Sequence, residues 1–446
     1  MSFEEMLKQL QSQLPPSSGW ELGLQRMRCV LKELGNPHLG SHWVHVAGTN
    51  GKGSVCAMVH AILREAGFRT GLYISPHLER FEERISVNGK MISSQEAASH
   101  FERVMLAAEE AGVRDLTFFE AVTVAAFSYF KDQGISLGVI EVGLGGRWDA
   151  TNVIEDPLVC VITPVSLDHT EWLGNTVGSI AREKAAIIKR GCIAVSSPQP
   201  KEAAVAIQEA CVAQGCKLME VRDQVAWEEL EFGLSGQRVR LRSPRREISD
   251  LFIPLLGRHQ QVNAATAVLV ADALCAQGIE VPDEAVVSGI AKVKWPGRLE
   301  IVQRDPLIIL DGAHNPGGAE VLAQALRELF PESKITLLMG MLKDKPVGDV
   351  VRTLVPVAHR VVVTTPPSHR ALSAQALAEH VGTYTHNVIV QEVPAEALEV
   401  AREMLEEDGV LCVTGSLYLV GHLRGCLVGA GCGNEDHHSR AVSCTG

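Results

Sequence analysis

Between an apolar run, Trp43 to Ala47, and a stretch carrying Val55, Met58, Ile62 and Leu63 at helical spacing lies Gly48-Thr49-Asn50-Gly51-Lys52-Gly53-Ser54. Glycines let the backbone wrap an anion. N–H groups and the dipole at the head of a helix supply positive potential, and a lysine placed there reaches the terminal phosphates of a nucleotide. The spacing departs from the general phosphate-loop pattern because Gly53 separates Lys52 from Ser54, but strand, turn and amphipathic helix follow in the right order. Thr49, Asn50, Gly51, Lys52, Gly53 and Ser54 are the candidate phosphate contacts.

Three further apolar runs end in chemistry: Leu72-Tyr-Ile-Ser75, Val139-Ile-Glu141, and Val161-Ile-Thr-Pro-Val-Ser-Leu-Asp168-His169. Ligands of open α/β sheets bind beyond the carboxyl ends of parallel strands, the address these residues share. Ser75 and Glu141 offer hard oxygens and His169 an imidazole nitrogen, a set suited to Mg²⁺ beside phosphates.

The elements that must hold these groups alternate strand and helix, which predicts mostly parallel α/β sheets. Predicted strands are 43–47, 70–75, 137–142, 158–163 and 192–196. From Asp223 to Leu256 short alternating charged segments predict a small antiparallel excursion, followed by a helix over 261–276. Pro296-Gly297 marks a domain boundary. Beyond it, strands starting at Leu307, Lys334, Arg360, Val388 and Val410 alternate with helices, a Rossmann-type pattern. The expected organisation is a phosphate-loop parallel-sheet domain over 1–296, a smaller Rossmann-like α/β domain over 297–426 and a flexible tail over 427–446, in which His437 and His438 sit at a solvated end.

The chain has 446 residues, 46% hydrophobic and 21% charged, with mean hydropathy +0.10. That excludes extensive disorder. No charge-free apolar run nears the roughly 18 residues of a membrane-spanning helix, and the acidic start is unlike a signal peptide. A cytoplasmic protein with no membrane partner is expected. The net charge of −12 argues against a nucleic-acid partner. Eleven cysteines, scattered singly with no C-x-x-C, read as buried thiols.

With these strings in order, the sequence resembles the folylpolyglutamate synthase and dihydrofolate synthase family, the folate branch of the Mur ligases. The resemblance rests on Gly48 to Ser54, Ser75-Pro-His-Leu78, Glu141-Val-Gly-Leu-Gly-Gly-Arg-Trp-Asp149-Ala-Thr-Asn152, Asp168-His169, Arg182-Glu-Lys184 and Asp311-Gly-Ala-His314-Asn-Pro316. It implies an ATP-dependent ligase that phosphorylates a carboxylate and couples it to L-glutamate, taking dihydropteroate, reduced folates or both, and acting as a monomer. It also implies that ATP is held by the loop, by Asn263, Arg298 and Asp311, and that Ser75, Glu141 and His169 bind magnesium. Lys184 matches a lysine carbamylated in the family to serve a second magnesium. Lys52, Lys184, His314 and Asp149 carry the catalytic roles. The pterin-bearing substrate would lie against Glu21, Leu22 and Gly23, then Thr117, Phe118, Phe119 and Glu120, then Trp148, Asp149 and Ala150. Gln25 and Trp148 stand where the family commonly has Glu and Leu. A synthase of folylpolyglutamates alone, and a phosphate-loop NTPase acting as a switch, are the alternatives.

Overall fold

The computed structural model describes residues 23–429, so Glu21, Leu22, His437 and His438 lie outside the described residues. Strands β1 (His42–Ala47), β2 (Thr70–Tyr73), β3 (Ile85–Val87), β4 (Lys90–Met91), β5 (Leu137–Glu141), β6 (Val159–Ile162), β7 (Ile193–Ser196) and β8 (Lys217–Glu220) form one eight-stranded sheet. Its order is β4-β3-β2-β5-β1-β6-β7-β8, parallel from β2 to β8. The β3–β4 hairpin folds back at Asn88-Gly89, both at positive φ, the turn that matches strand twist.

β1, β2, β5, β6 and β7 are almost wholly buried, as strands covered on both faces must be. One face packs on the helices Lys52–Glu65 and His259–Ala276. On the other, the helices Gly23–Glu33, Ser94–Glu110 and Phe118–Asp132 close a second core around Trp43, Phe81 and Phe101. The expected antiparallel excursion is β9 (Ala226–Gly233), β10 (Gly236–Arg242) and β11 (Glu247–Ile253).

A second sheet comprises β12 (Glu300–Arg304), β13 (Leu307–Leu310), β14 (Ile335–Met339), β15 (Arg360–Val363), β16 (Val388–Val390) and β17 (Val410–Thr414). The order β12-β13-β17-β14-β15-β16 is parallel except for β12, an antiparallel edge that the sequence pattern did not reveal. The last described helix runs Leu417–Val428.

Two contacts between the domains set their approach. Arg424 of the last helix, held by Glu300 of its own domain with Nη2 to Oε1 at 2.8 Å, crosses to pair with Glu79 in the turn after β2. Gly421 makes this possible, since a Cβ there would stand 1.9 Å from the Leu78 carbonyl oxygen.

Candidate active site at the carboxyl ends of both sheets

The phosphate loop leaves β1 at Gly48 and enters its helix at Lys52. Gly51 has φ +84° and abuts Asn263, whose Oδ1 would lie 2.6 Å from an added Cβ. The loop glycines thus answer to shape as well as to dihedral freedom. Thr49 and Asn50 N–H groups bond the Pro164 carbonyl at 3.0 and 3.2 Å. Lys52 Nζ donates to the Gly48 and Thr49 carbonyls at 3.1 and 3.3 Å. Those are neutral partners. The first N–H groups of the helix have no preceding turn to bond, so the loop offers donors and a cation to an anion.

Several charges gather around Lys52. Its ammonium acts on the Glu141, His169 and Lys184 side chains. Glu141 is buried, and burial pushes its pKa up against the pull of Lys52. One of its oxygens accepts from Ser75 N–H at 3.1 Å; among the described residues the other has no donor. Lys184 is buried with no hydrogen bond or ion pair among the described residues, and burial followed by Lys52 lowers its pKa to about 7. Gly146 allows this helix its close approach, because a Cβ there would meet the Glu183 carbonyl at 2.5 Å.

These donors fit a magnesium ion. A buried carboxylate with a spare oxygen and the Ser75 hydroxyl, whose backbone already bonds that carboxylate, are hard oxygen donors; His169, its Nε2 3.1 Å from Lys345 Nζ, would bring an imidazole nitrogen once that contact opened. No three His, Cys, Asp or Glu side chains among the described residues close on one point. The remaining ligands of such an ion would therefore be water and phosphate oxygens.

The second domain reaches the same place. Asn315, buried and capping the helix Pro316–Leu329, donates to Asn50 Oδ1 at 3.1 Å and to Asp168 Oδ2 at 3.0 Å. Lys345, just beyond β14, lies 3.0 Å from Asp168 Oδ1 and 3.1 Å from His169 Nε2. Burial works against the Asp168 carboxylate, but Lys345 and the two histidines outweigh it and hold its pKa low. His314 Nδ1 bonds the Gly312 carbonyl at 2.8 Å. A carbonyl only accepts, so Nδ1 carries the proton and Nε2 presents a lone pair. Burial, then Lys345, lowers its pKa to about 4, keeping the ring neutral.

Arg298 stands at the hinge, and its charge acts on Glu141 in one domain and on Asp311 and His314 in the other. Asp311 is tied to that hinge, accepting Leu299 N–H and Ala313 N–H, both at 2.9 Å. Asn263 Nδ2 bonds Gln260 Oε1 at 2.9 Å, leaving its oxygen toward Gly51. Of these three, Asn263 stands against the loop at Gly51, while Arg298 and Asp311 belong to the hinge between the domains.

The residues expected at the pterin end have a different fate. Thr117 and Glu120 form the capping box of the helix Phe118–Asp132, and Glu120 also accepts from Arg26 at 3.0 Å. Phe118 is buried against Phe81, with Arg84 over its face. Phe119 turns elsewhere, toward Tyr73 and Gly143, so the two rings do not make one stacking face. Asp149 is buried and caps the short turn Ala150–Val153. It accepts Leu144 N–H at 2.9 Å and the Thr151 hydroxyl at 2.6 Å. Behind Thr151 stands the wholly buried His45, its Nε2 at 2.8 Å. Ala150 is buried, Trp148 is exposed, and Gly23 begins its helix.

Asn315, Lys345 and His45 were not singled out from sequence. Lys345 had a usable signal, since it follows a Rossmann-type strand at the ligand-binding end; His45 had none, being one polar residue inside an apolar run.

Comparison with known proteins gives the same outline. Residues 46–271 match the Mur ligase middle domain, and residues 297–417 the Mur ligase glutamate ligase domain. The dihydrofolate synthase/folylpolyglutamate synthase of Bacillus subtilis is 35% identical over 411 residues, covering 91% of this chain and 95% of that one. The folylpolyglutamate synthase of Mycobacterium tuberculosis complexed with ADP superposes with a TM-score of 0.89 at 33% identity, over 96% of this chain and 98% of that one. E. coli FolC in complex with DHPP and ADP does so with 0.86 at 31% identity, over 96% and 97%.

Proposed function

The chain belongs to the dihydrofolate synthase/folylpolyglutamate synthase family of Mur ligases, and from that membership we propose that it joins L-glutamate to dihydropteroate and to the γ-carboxylate of reduced folates. ATP is consumed and ADP and phosphate are released. The observation that carries the reading is the meeting, around Lys52, of a phosphate loop, a buried carboxylate, a neutral-prone lysine and groups from a second domain. A nucleotide switch has no use for that second domain.

A carboxylate is a poor electrophile, so its oxygen takes the terminal phosphoryl group of ATP. The resulting acyl phosphate is then attacked at carbon by the α-amino group of glutamate, forming the amide bond and expelling phosphate. Thr49 to Ser54 cradle the phosphates, and Lys52 exchanges its backbone carbonyls for them. Asn263, Arg298 and Asp311 hold the nucleotide from the hinge side. Ser75, Glu141 and His169 would hold magnesium, which when bound neutralises charge on the phosphates as a Lewis acid. Lys184, whose lowered pKa of about 7 leaves part of its amine unprotonated near neutrality, can add CO₂ to become a carbamate, the anionic support a second magnesium would use. His314, neutral with a free Nε2, accepts a proton as the glutamate amine becomes nucleophilic. Asp149, with Thr117 to Glu120 and Trp148 to Ala150, shapes the pteroate end. Asn315 and Lys345 tie the domains across the site, excluding water from the acyl phosphate. The reading carries with it a monomer acting in the cytoplasm. No helix among the described residues is long and apolar enough to cross a membrane.

The test is ADP release with dihydropteroate or tetrahydrofolate, each with and without L-glutamate. Release strictly dependent on glutamate and acceptor is expected. Turnover with tetrahydrofolate alone narrows the enzyme to a folylpolyglutamate synthase, and vigorous release without either acceptor overturns the ligase.

A further inference from the structure

At the opposite end of the first sheet, β7 and β8 pair in parallel with Ile193 opposite Lys217. One residue earlier, Cys192 and Cys216 therefore face each other across the two strands, with their sulfurs 3.7 Å apart. Neighbouring strands lie about 4.8 Å apart, inside the roughly 4.4 to 6.8 Å between Cα atoms that a disulfide spans. Side-chain rotation, with no backbone shift, can close the gap. We propose that Cys192 and Cys216 form a peroxide-sensitive dithiol, a modification site that closes to an intramolecular disulfide.

The surroundings divide the labour. Cys192 is buried beside Cys160 and Cys216, and its thiol neighbours, Cys160 above all, lower its pKa despite burial. Cys216 is half-buried and is pushed up to about 11, first by burial and then by Cys192. Cys192 is thus the more acidic thiol of the pair, and the half-exposed Cys216 beside it gives a water-sized oxidant its approach. The Cys192 thiolate attacks one oxygen of hydrogen peroxide, giving a sulfenic acid and releasing hydroxide. Cys216 sulfur then attacks the sulfenic sulfur, the S–S bond forms, and the departing hydroxide becomes water on taking up the proton that Cys192 had given to solvent on ionising. The released hydroxide takes the proton from Cys216. In sum two thiols and one peroxide give one disulfide and two waters. In the reduced protein Cys216 bonds the Lys189 carbonyl at 2.7 Å, and the neighbouring Cys160 bonds the Ile187 carbonyl at 3.1 Å. Both carbonyls belong to the turn that follows the helix carrying Lys184, so closure removes one of two thiol ties on that turn.

The full-length protein is treated with hydrogen peroxide, alkylated under denaturing conditions and mapped by mass spectrometry without reductant. The expected result is a mass loss of about 2 Da in a single linkage joining the Cys192 and Cys216 peptides, reversed by dithiothreitol. Cys160→Ser keeps the link. Cys216→Ser abolishes it and leaves Cys192 as a sulfenic acid that dimedone traps. Full alkylation of both cysteines after peroxide, or a linkage running from Cys192 to Cys160 instead, overturns the proposal. None of these readouts depends on ligase activity.

Discussion

The two ends of the active site are built on opposite principles. At the nucleotide end, side chains are held with capacity to spare: Lys52 touches only backbone carbonyls, Lys184 has no partner among the described residues, and Glu141 accepts a single N–H. At the pteroate end the candidate side chains are already committed. Thr117 and Glu120 close a helix cap, Phe118 fills core, and both oxygens of Asp149 are bonded. Burying an unsatisfied polar group costs about 1 to 3 kcal/mol. The fold bears that cost where phosphates and metal would repay it, and does not bear it at the proposed pteroate end. On the proposed reading, a substrate there would meet shape and backbone more than free side-chain donors.

Lys52→Met probes the contrast most strongly. It removes the loop's cation but no packing, and is expected to slow ADP release by about a thousandfold, or about 4 kcal/mol, with an unchanged urea midpoint. A large loss of stability would mean that Lys52 is structural and the contrast false.

Glu120→Ala should do the reverse. It strips a cap and removes the carboxylate that Arg26 bonds at 3.0 Å, costing about 2 kcal/mol of stability in a urea titration, while kcat moves less than the midpoint implies. Activity lost without destabilisation would instead make Glu120 a substrate ligand.

His45 gives a prediction in pH. Burial lowers its pKa from 6.5 to about 3, so between these values the unfolded chain binds a proton that the folded chain refuses. Stability is full above pH 6.5 and falls with acidification at about 1.4 kcal/mol per pH unit for this group. His45→Gln keeps a donor for Thr151 but cannot titrate, and should flatten the slope by that amount between pH 6 and 5. An unaltered slope would show that His45 is not held neutral. The smallest effect belongs to Thr117→Ala, about 1 kcal/mol, with Thr117→Ser restoring most of it; equal losses in both would remove the cap from the account.

Legibility followed sequence distance. The phosphate loop was readable because strand, glycines, lysine and helix are contiguous. Lys345 and Asp168 are 177 residues apart, and nothing local announces their contact. Phe118 and Phe119 are adjacent, yet consecutive side chains on a helix point about 100° apart, which sends one ring into core and the other to Gly143. The cysteines read as isolated because Cys192 and Cys216 are separated by 24 residues of chain and joined only by strand register.

By itself, then, the order of residues determined the elements, the phosphate-binding turn and the strand ends where ligands would gather, since hydrophobic period and turn chemistry act over a few residues. Which of the polar groups stay free to do chemistry was decided in three dimensions. Burial, charge and hydrogen-bond satisfaction depend on neighbours brought in from distant parts of the chain, and those neighbours left Lys184 bare while they occupied Glu120.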